Sequence, residues 1–315
     1  MIFKIILFLL IAALFYVGYM IFASVFIYSD KGKAYEPDPE FIDSDKDMMR
    51  PTAKRYYDFR RPRMEAFKQL PLEELSVTSF DGLKLYGYLL RGNPKEVVIC
   101  VHGYKSSMEE DFSDRIEIYQ KRGSTVLLVN DRGHGKSEGK YLGFSEHDKR
   151  DVAKWVDKMN EMFDAPEIYL HGVSMGGATV IHCADMKLEN VKGIVDDCGF
   201  TSILKISQYL ISDLFHMPYF PCGYIAWMWA LLLAKTSFNA SDGEKCVQHT
   251  DVPIVFIHGA EDHYVPCEMS KKMYEKCVSP KELHIIEGCG HAAAYMMASE
   301  AYTEAINRLL DHRIA

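Results

Sequence analysis

Ser174 is the residue whose setting points most directly to chemistry. It stands in Leu170-His171-Gly172-Val173-Ser174-Met175-Gly176-Gly177, after an apolar run from Glu167 to Leu170 and before Ala178 to Lys187. The apolar run predicts a buried strand and the later stretch a helix. The serine therefore falls on a strand-to-helix turn in the pattern G-x-S-x-G, a nucleophile elbow. Sterics explain the spacing: in so tight a turn, Gly172 and Gly176 must lack side chains where strand and helix crowd together. The turn holds the hydroxyl clear of the backbone at a helix N-terminus, whose free N–H groups favour a developing negative charge.

A neutral hydroxyl is a poor nucleophile and needs a base. Around such an elbow an acid and then a histidine follow the serine in chain order. Two segments fit, His258-Gly259-Ala260-Glu261-Asp262-His263-Tyr264-Val265-Pro266 and Glu287-Gly288-Cys289-Gly290-His291. Both follow strand-like runs, where an open α/β sheet carries its working residues. His291 would take the Ser174 proton, and Asp262 would fix its tautomer and stabilise the imidazolium. With twelve histidines in the chain, His291 is singled out by its glycine-flanked loop after the final strand. Glu261 and Asp197 compete for the acid's role, and Asp262 is preferred. The oxyanion would be held by the backbone N–H groups of Met175 and of Tyr104, in His102-Gly103-Tyr104 after the third strand.

The elements that must position these groups alternate. Glu74–Phe80 and Leu83–Leu90 have the period of strands around Asp81-Gly82, a hairpin signal. Val97–Val101, Thr125–Asn130, Val191–Asp196, Pro253–Ile257 and Glu282–Ile286 read as further strands. Helices are expected at Glu109–Lys121, from Ser145-x-x-Asp148 to Met162, at Glu268–Cys277 and at about Ala298–Leu310. The pattern predicts a mostly parallel sheet covered on both faces. Phe200–Thr250 interrupts it with aromatics and methionines and no clear strand. An insert of that length between strands predicts a cap, lining an acyl cavity, resting on a membrane or simply burying itself on the domain.

The formal net charge of −8 argues against nucleic acid as the main partner. Eight cysteines are spread singly, with no C-x-x-C and no metal-ligand spacing, which argues against a zinc site. Cys100, Cys183 and Cys198 fall in apolar runs as small core residues, whereas Cys267 and Cys289 sit in two loops whose approach would allow a disulfide.

Ile5–Tyr28 carries no charged residue. At about 1.5 Å per residue it reaches about 36 Å, enough to cross roughly 30 Å of hydrocarbon. It is longer than a signal-peptide core and has no small-residue cleavage pattern, so an uncleaved anchor is expected. Positive-inside counting nearly balances between Lys4 and Lys31 with Lys33. The four-residue head suits a signal anchor with the catalytic domain outside. Residues 30–70 read as a charged spacer, broken early by Pro37, Pro39 and Pro51. Within it, Lys54, Arg55, Arg60, Arg61, Arg63 and Lys68 interleave with Tyr56, Tyr57 and Phe59. That cluster would either touch anionic headgroups or pack its aromatics on the domain.

From about Leu75 onward the chain resembles the α/β-hydrolase superfamily. The resemblance is carried by His102-Gly103, Asp131-Arg132-Gly133-His134-Gly135-Lys136-Ser137, the elbow, Gly259-Ala260-Glu261-Asp262 and Gly290-His291, in that order. It implies an eight-stranded, mostly parallel sheet with a helical cap, a triad of Ser174, Asp262 and His291, and no cofactor. Within the superfamily the chain is similar to bacterial membrane-anchored esterases and acylaminoacyl-peptidase-like enzymes. Its Gly133–Gly139 loop also resembles that of monoacylglycerol lipases. A serine nucleophile sets aside the aspartate-nucleophile dehalogenases and epoxide hydrolases, and no propeller domain is seen. The organisation expected is an anchor (1–29), a spacer (30–70) and a hydrolase domain (71–315) with a cap at about 200–250. The expected function is hydrolysis of esters of small or lipid-like molecules. Acyl transfer, peptide or amide cleavage, and a silent membrane-tethered binding protein are the alternatives.

Overall fold

The computed structural model describes residues 1–27 and 53–314. Eight strands form one sheet in the order β1-β2-β4-β3-β5-β6-β7-β8. They are β1 (Glu73–Thr78), β2 (Lys84–Leu90), β3 (Asn93–Val101), β4 (Ser124–Val129), β5 (Glu167–Val173), β6 (Val191–Asp197), β7 (Ile254–Gly259) and β8 (Lys281–Ile286). β1, β2 and β4 pair antiparallel, and every pairing from β4 to β8 is parallel.

The helices are α1 (Ile2–Phe26), α2 (Ala53–Phe67), α3 (Met108–Phe112), α4 (Ile116–Arg122), α5 (Asp148–Met162), α6 (Met175–His182), α7 (Ile203–Gln208), α8 (Cys222–Trp229), α9 (Gly243–Cys246), α10 (Glu268–Lys276), α11 (Ala294–Met297) and α12 (Ser299–Leu310). The side-chain period of two divides each central strand between two cores. On β3, Val98 and Cys100 join Ile118 of α4 and Ile306 of α12 on one face. Val97, Ile99 and Val101 join Trp155 of α5 and Ile181 of α6 on the other. Continuous apolar strands are what a sheet covered on both faces requires.

One expectation is corrected and two open alternatives are decided. The single helix over Glu109–Lys121 is two, broken at Ser113-Asp114-Arg115, because Arg115 turns inward to a fully buried ion pair with Asp114 and Asp197. The Cys267–Cys289 disulfide is absent: all eight cysteines are free thiols. The second half of the stretch read as a spacer is α2, which takes the packing alternative. Tyr56 and Phe67 are buried in the sheet's core, and Arg60 and Arg63 lie over the rings of Tyr56 and Phe59. The first part of that stretch, 30–52, lies outside the described residues, as do residues 28–29.

The segment between β6 and β7, expected to form a cap, is helical. α7 runs into a π-helical turn, Tyr209–Leu214, and α8 into a second, Ala230–Ala234. The cap shares a third apolar cluster with α1: Phe22 and Phe26 pack with Phe144, Phe200, Ala226 and Phe238, and with Met175 beside the elbow.

Candidate active site

The elbow is as tight as its glycines require. A Cβ on Gly172 would lie 2.1 Å from the Gly176 carbonyl oxygen, and one on Gly176 would lie 2.0 Å from that of Val101. Ser174 itself sits at φ 57° and ψ −114°, a strained setting for a residue with a side chain, of the kind found at functional sites. Its N–H donates to the Asp197 carbonyl (2.8 Å), which ties the turn to the end of β6.

The structure brings the three expected residues together. The Ser174 Oγ–H donates to His291 Nε2 at 2.9 Å, and His291 Nδ1 lies 2.6 Å from Asp262 Oδ2. A carboxylate only accepts, so Nδ1 carries the ring proton and Nε2 is left as the base. Asp262 Oδ1 accepts from the Tyr264 and Val265 N–H groups at 2.9 and 2.8 Å, which fixes the carboxylate. Burial pushes the Asp262 carboxyl up, but the His291 charge and hydrogen bonds from His258 and His291 outweigh it and hold the group well below the usual carboxylate range. Of the competing acids, Glu261 is exposed, and Asp197 Oδ2 already accepts from Arg115 (2.8 Å) and the Tyr302 hydroxyl (2.8 Å).

Both expected oxyanion donors are backbone N–H groups with no partner among the described residues. Met175 opens α6, so its N–H is one of the helix's unpaired donors. In the loop after β3, Gly103 N–H is already committed to Asp111 Oδ2 at 2.6 Å and Lys105 N–H to His134 Nε2 at 3.2 Å. The Tyr104 N–H between them bonds no other group among the described residues. His102 braces the loop from below. Its Nδ1–H donates to the Gly103 carbonyl (2.9 Å), and its Nε2 accepts from Asp131 N–H (3.2 Å).

Sequence reasoning missed two supports. His258 Nε2–H is shared between the Val265 carbonyl (2.8 Å) and the Asp262 oxygen that His291 uses (3.1 Å), and Ser270 hydroxyl faces its Nδ1 (2.7 Å). Its position at the end of β7, four residues before Asp262, was a readable signal. The second is Arg115, wholly buried, which donates to the carbonyl of Ala292 beside His291 (2.6 Å) and to Asp197. One guanidinium thus links the loops of Ser174 and His291. Tyr119, His171 and Tyr302 complete this network at 2.6 and 2.9 Å, and burial drives the His171 pKa down to about 3, so the ring is neutral. His171, though part of the elbow motif, is structural.

Cys198, Asp262 and His291 offer donor atoms within 4.8 Å of one another. Burial raises the Cys198 thiol well above its ordinary pKa, and the Asp262 oxygens are already taken. The trio is therefore poorly suited to a cation.

The sheet order and the elbow are those of the α/β-hydrolase fold, and the likeness to solved structures shows that fold. More narrowly, residues 92–217 match the model of the serine aminopeptidase S33 family. The uncharacterized protein YqkD of Bacillus subtilis is 26% identical over 267 residues, covering 82% of this chain and 86% of that one. The yeast (Saccharomyces cerevisiae) uncharacterized membrane protein YNL320W is 23% identical over 67% of this chain and 69% of its own. Among solved structures, the Pyrococcus furiosus esterase Pf2001 superposes with a TM-score of 0.65 at 21% identity, over 79% of this chain and 94% of that one. Est1E of Butyrivibrio proteoclasticus, with ferulic acid bound, gives 0.60 at 24% identity, over 76% and 98%.

Proposed function

We propose that the chain is a serine hydrolase that cleaves carboxylic esters through an acyl-enzyme on Ser174, held at a membrane by residues 5–28. The observation that carries this reading is the unbroken relay from Ser174 Oγ through His291 to Asp262, at 2.9 and 2.6 Å. As Ser174 attacks the ester carbonyl, His291 Nε2 takes its proton and the Met175 and Tyr104 N–H groups receive the oxyanion. The imidazolium then protonates the departing alcohol. Water, activated by the same ring, releases the acid. A catalytically silent binding protein would have no use for a strained serine aligned with a base. The apolar cluster beside Ser174, with Met175, Tyr104, Phe144, Tyr264 and Val265, supports a lipid-like acyl group. The helix Ile2–Phe26 is long and apolar enough to cross a membrane.

The test is turnover of p-nitrophenyl esters of rising acyl length by the whole chain in detergent, with Ser174→Ala beside it. The whole chain is required because Phe22 and Phe26, each 1% exposed, form part of the cap's packing. Ser174-dependent turnover peaking at medium or long chains is expected. A folded protein with no Ser174-dependent turnover at any length would overturn the reading. Turnover of amides alone would transfer it to a peptidase, and capture of the acyl group by added glycerol in preference to water to an acyltransferase.

A further inference from the structure

Outside α1, most of the large apolar side chains that stand exposed among the described residues belong to one segment, the cap. Phe215, Phe220, Leu231 and Leu232 of the cap are 52–73% exposed, with Met217, Tyr224 and Leu233 beside them, and only Phe80 and Val278 lie elsewhere. No Asp, Glu, Lys or Arg occurs between Asp213 and Lys235. So many exposed apolar side chains in one uncharged segment, on a chain otherwise rich in surface charge, mark a surface that is covered.

What covers it follows from where α1 lies. Met1–Ala13 are exposed on all sides, and from Leu14 onward one face of the helix is covered. Trp229 Nε1–H donates to the Phe15 carbonyl at 3.2 Å, and the rings of Tyr19 and Trp229 lie 5.5 Å apart. A Cβ on Gly18 would lie 2.4 Å from Ile225, so α8 runs directly against α1. The far end of α1 is held at the site: Tyr104 hydroxyl donates to the Val25 carbonyl (2.9 Å), Lys105 Nζ to that of Ser24 (2.6 Å) and Leu142 N–H to that of Phe26 (2.9 Å).

A hydrocarbon core of roughly 30 Å holds about 20 helical residues. With Lys4 and the amino terminus at one face, the core extends from Ile5 to about Ser24 at about 1.5 Å per residue. Phe15 then lies about 14 Å below the exit face, and Gly18 and Tyr19 about 8–9 Å below it. α8 touches all three, so it shares their depth. Tilt shortens these depths without changing their order.

We propose that the cap, residues 214–234, dips into the hydrocarbon of the leaflet from which α1 emerges, so that an acyl chain passes from the bilayer to Ser174 beneath the cap without crossing water. The surface rests on α1 spanning the membrane, and the route rests on the esterase reading above. The occupant is lipid, argued from the continuity of the exposed cap face with the spanning helix.

The whole chain is reconstituted into phosphatidylcholine vesicles, with Leu232→Trp as a reporter read against the parent. Its added emission is expected to be quenched by phosphatidylcholine brominated on the acyl chains and shielded from aqueous iodide. The opposite pattern overturns the surface, whatever the enzyme's activity, and so does release of the chain by alkaline carbonate. The route is tested by Phe220→Asp with Leu232→Asp, at two exposed positions away from the catalytic residues. Turnover of a water-soluble short ester should hold, while turnover of a long-chain ester dissolved in the vesicles falls roughly tenfold, as placing charge in hydrocarbon would cause. Equal losses on both esters, or none on the bilayer ester, overturn the route. Inactivity of the parent on every ester removes the esterase reading while the quenching result stands on its own.

Discussion

Asp262→Asn is the substitution whose consequence can be worked furthest from the geometry. Asp262 Oδ1 accepts two backbone N–H groups, from Tyr264 and Val265. An asparagine that keeps those bonds must place its amide nitrogen where Oδ2 stood, facing His291 Nδ1 and His258 Nε2. Donor would then meet donor twice. His291 escapes by moving its proton to Nε2, which points an N–H at Ser174 Oγ and abolishes the base. For a wrong-tautomer defect in a Ser-His-Asp system the loss in kcat is about ten-thousand-fold, or about 5.5 kcal/mol of barrier. KM should change little, because Asp262 does not face the substrate. His258 cannot escape in the same way without forfeiting the Val265 carbonyl, so stability should also drop by about 1–3 kcal/mol. The assay is kcat on the best p-nitrophenyl ester, with circular dichroism to show that the variant is folded. Glu261→Gln, at an exposed neighbour, should stay within about twofold. A folded Asp262→Asn within about tenfold of the parent would falsify the assignment of the acid, since a factor of ten is only about 1.4 kcal/mol.

Three further outcomes follow from the same contacts. Gly103→Val places a Cβ 3.2 Å from Asp111 and 3.3 Å from the Ser174 side chain and crowds the oxyanion loop; activity should fall about a hundredfold with the thermal midpoint near the parent's, and an unchanged kcat would remove Tyr104 from its role. Arg115→Met strands the buried carboxylates of Asp114 and Asp197 and should cost about 3–5 kcal/mol in thermal or urea unfolding, part of it recovered by adding Asp197→Asn. Burial pushes the Asp196 carboxyl up to about 7, so between about pH 4 and about pH 7 the native state keeps a proton that the unfolded chain releases, and stability falls as pH rises. Asp196→Asn, which retains an acceptor for Gly199 N–H, should therefore gain stability relative to the parent across that window in urea titrations, and a constant difference would contradict the sign.

The geometry of the candidate site was legible because its signals are local. Gly172 is dictated by its contact with Gly176 inside the elbow, and Gly176 is read from the same five-residue pattern although it also has to clear Val101. Asp262 and His291 are read from loops that close single strands. The supports were hidden because they come from far along the chain: Arg115 reaches Asp197 and Ala292, and nothing around Arg115 announces that a charge will be buried there. The helix expected over Glu109–Lys121 broke for this reason, since its apolar period is indifferent to an inward arginine. The packing of α1 was equally unreadable, because an apolar run has the same composition whether it meets lipid or Ile225 and Trp229. His258 was readable in principle, standing one turn of chain before the acid at the end of the same strand.

The most direct test of the account is the covalent intermediate itself. The whole chain is mixed with a p-nitrophenyl ester, quenched in acid during the first turnovers, digested and examined by mass spectrometry, with His291→Ala treated alongside. The account predicts one acyl group on Ser174 in the parent and none in His291→Ala. An acyl group on another residue, or ester turnover that leaves Ser174 unmodified at every time point, would contradict it.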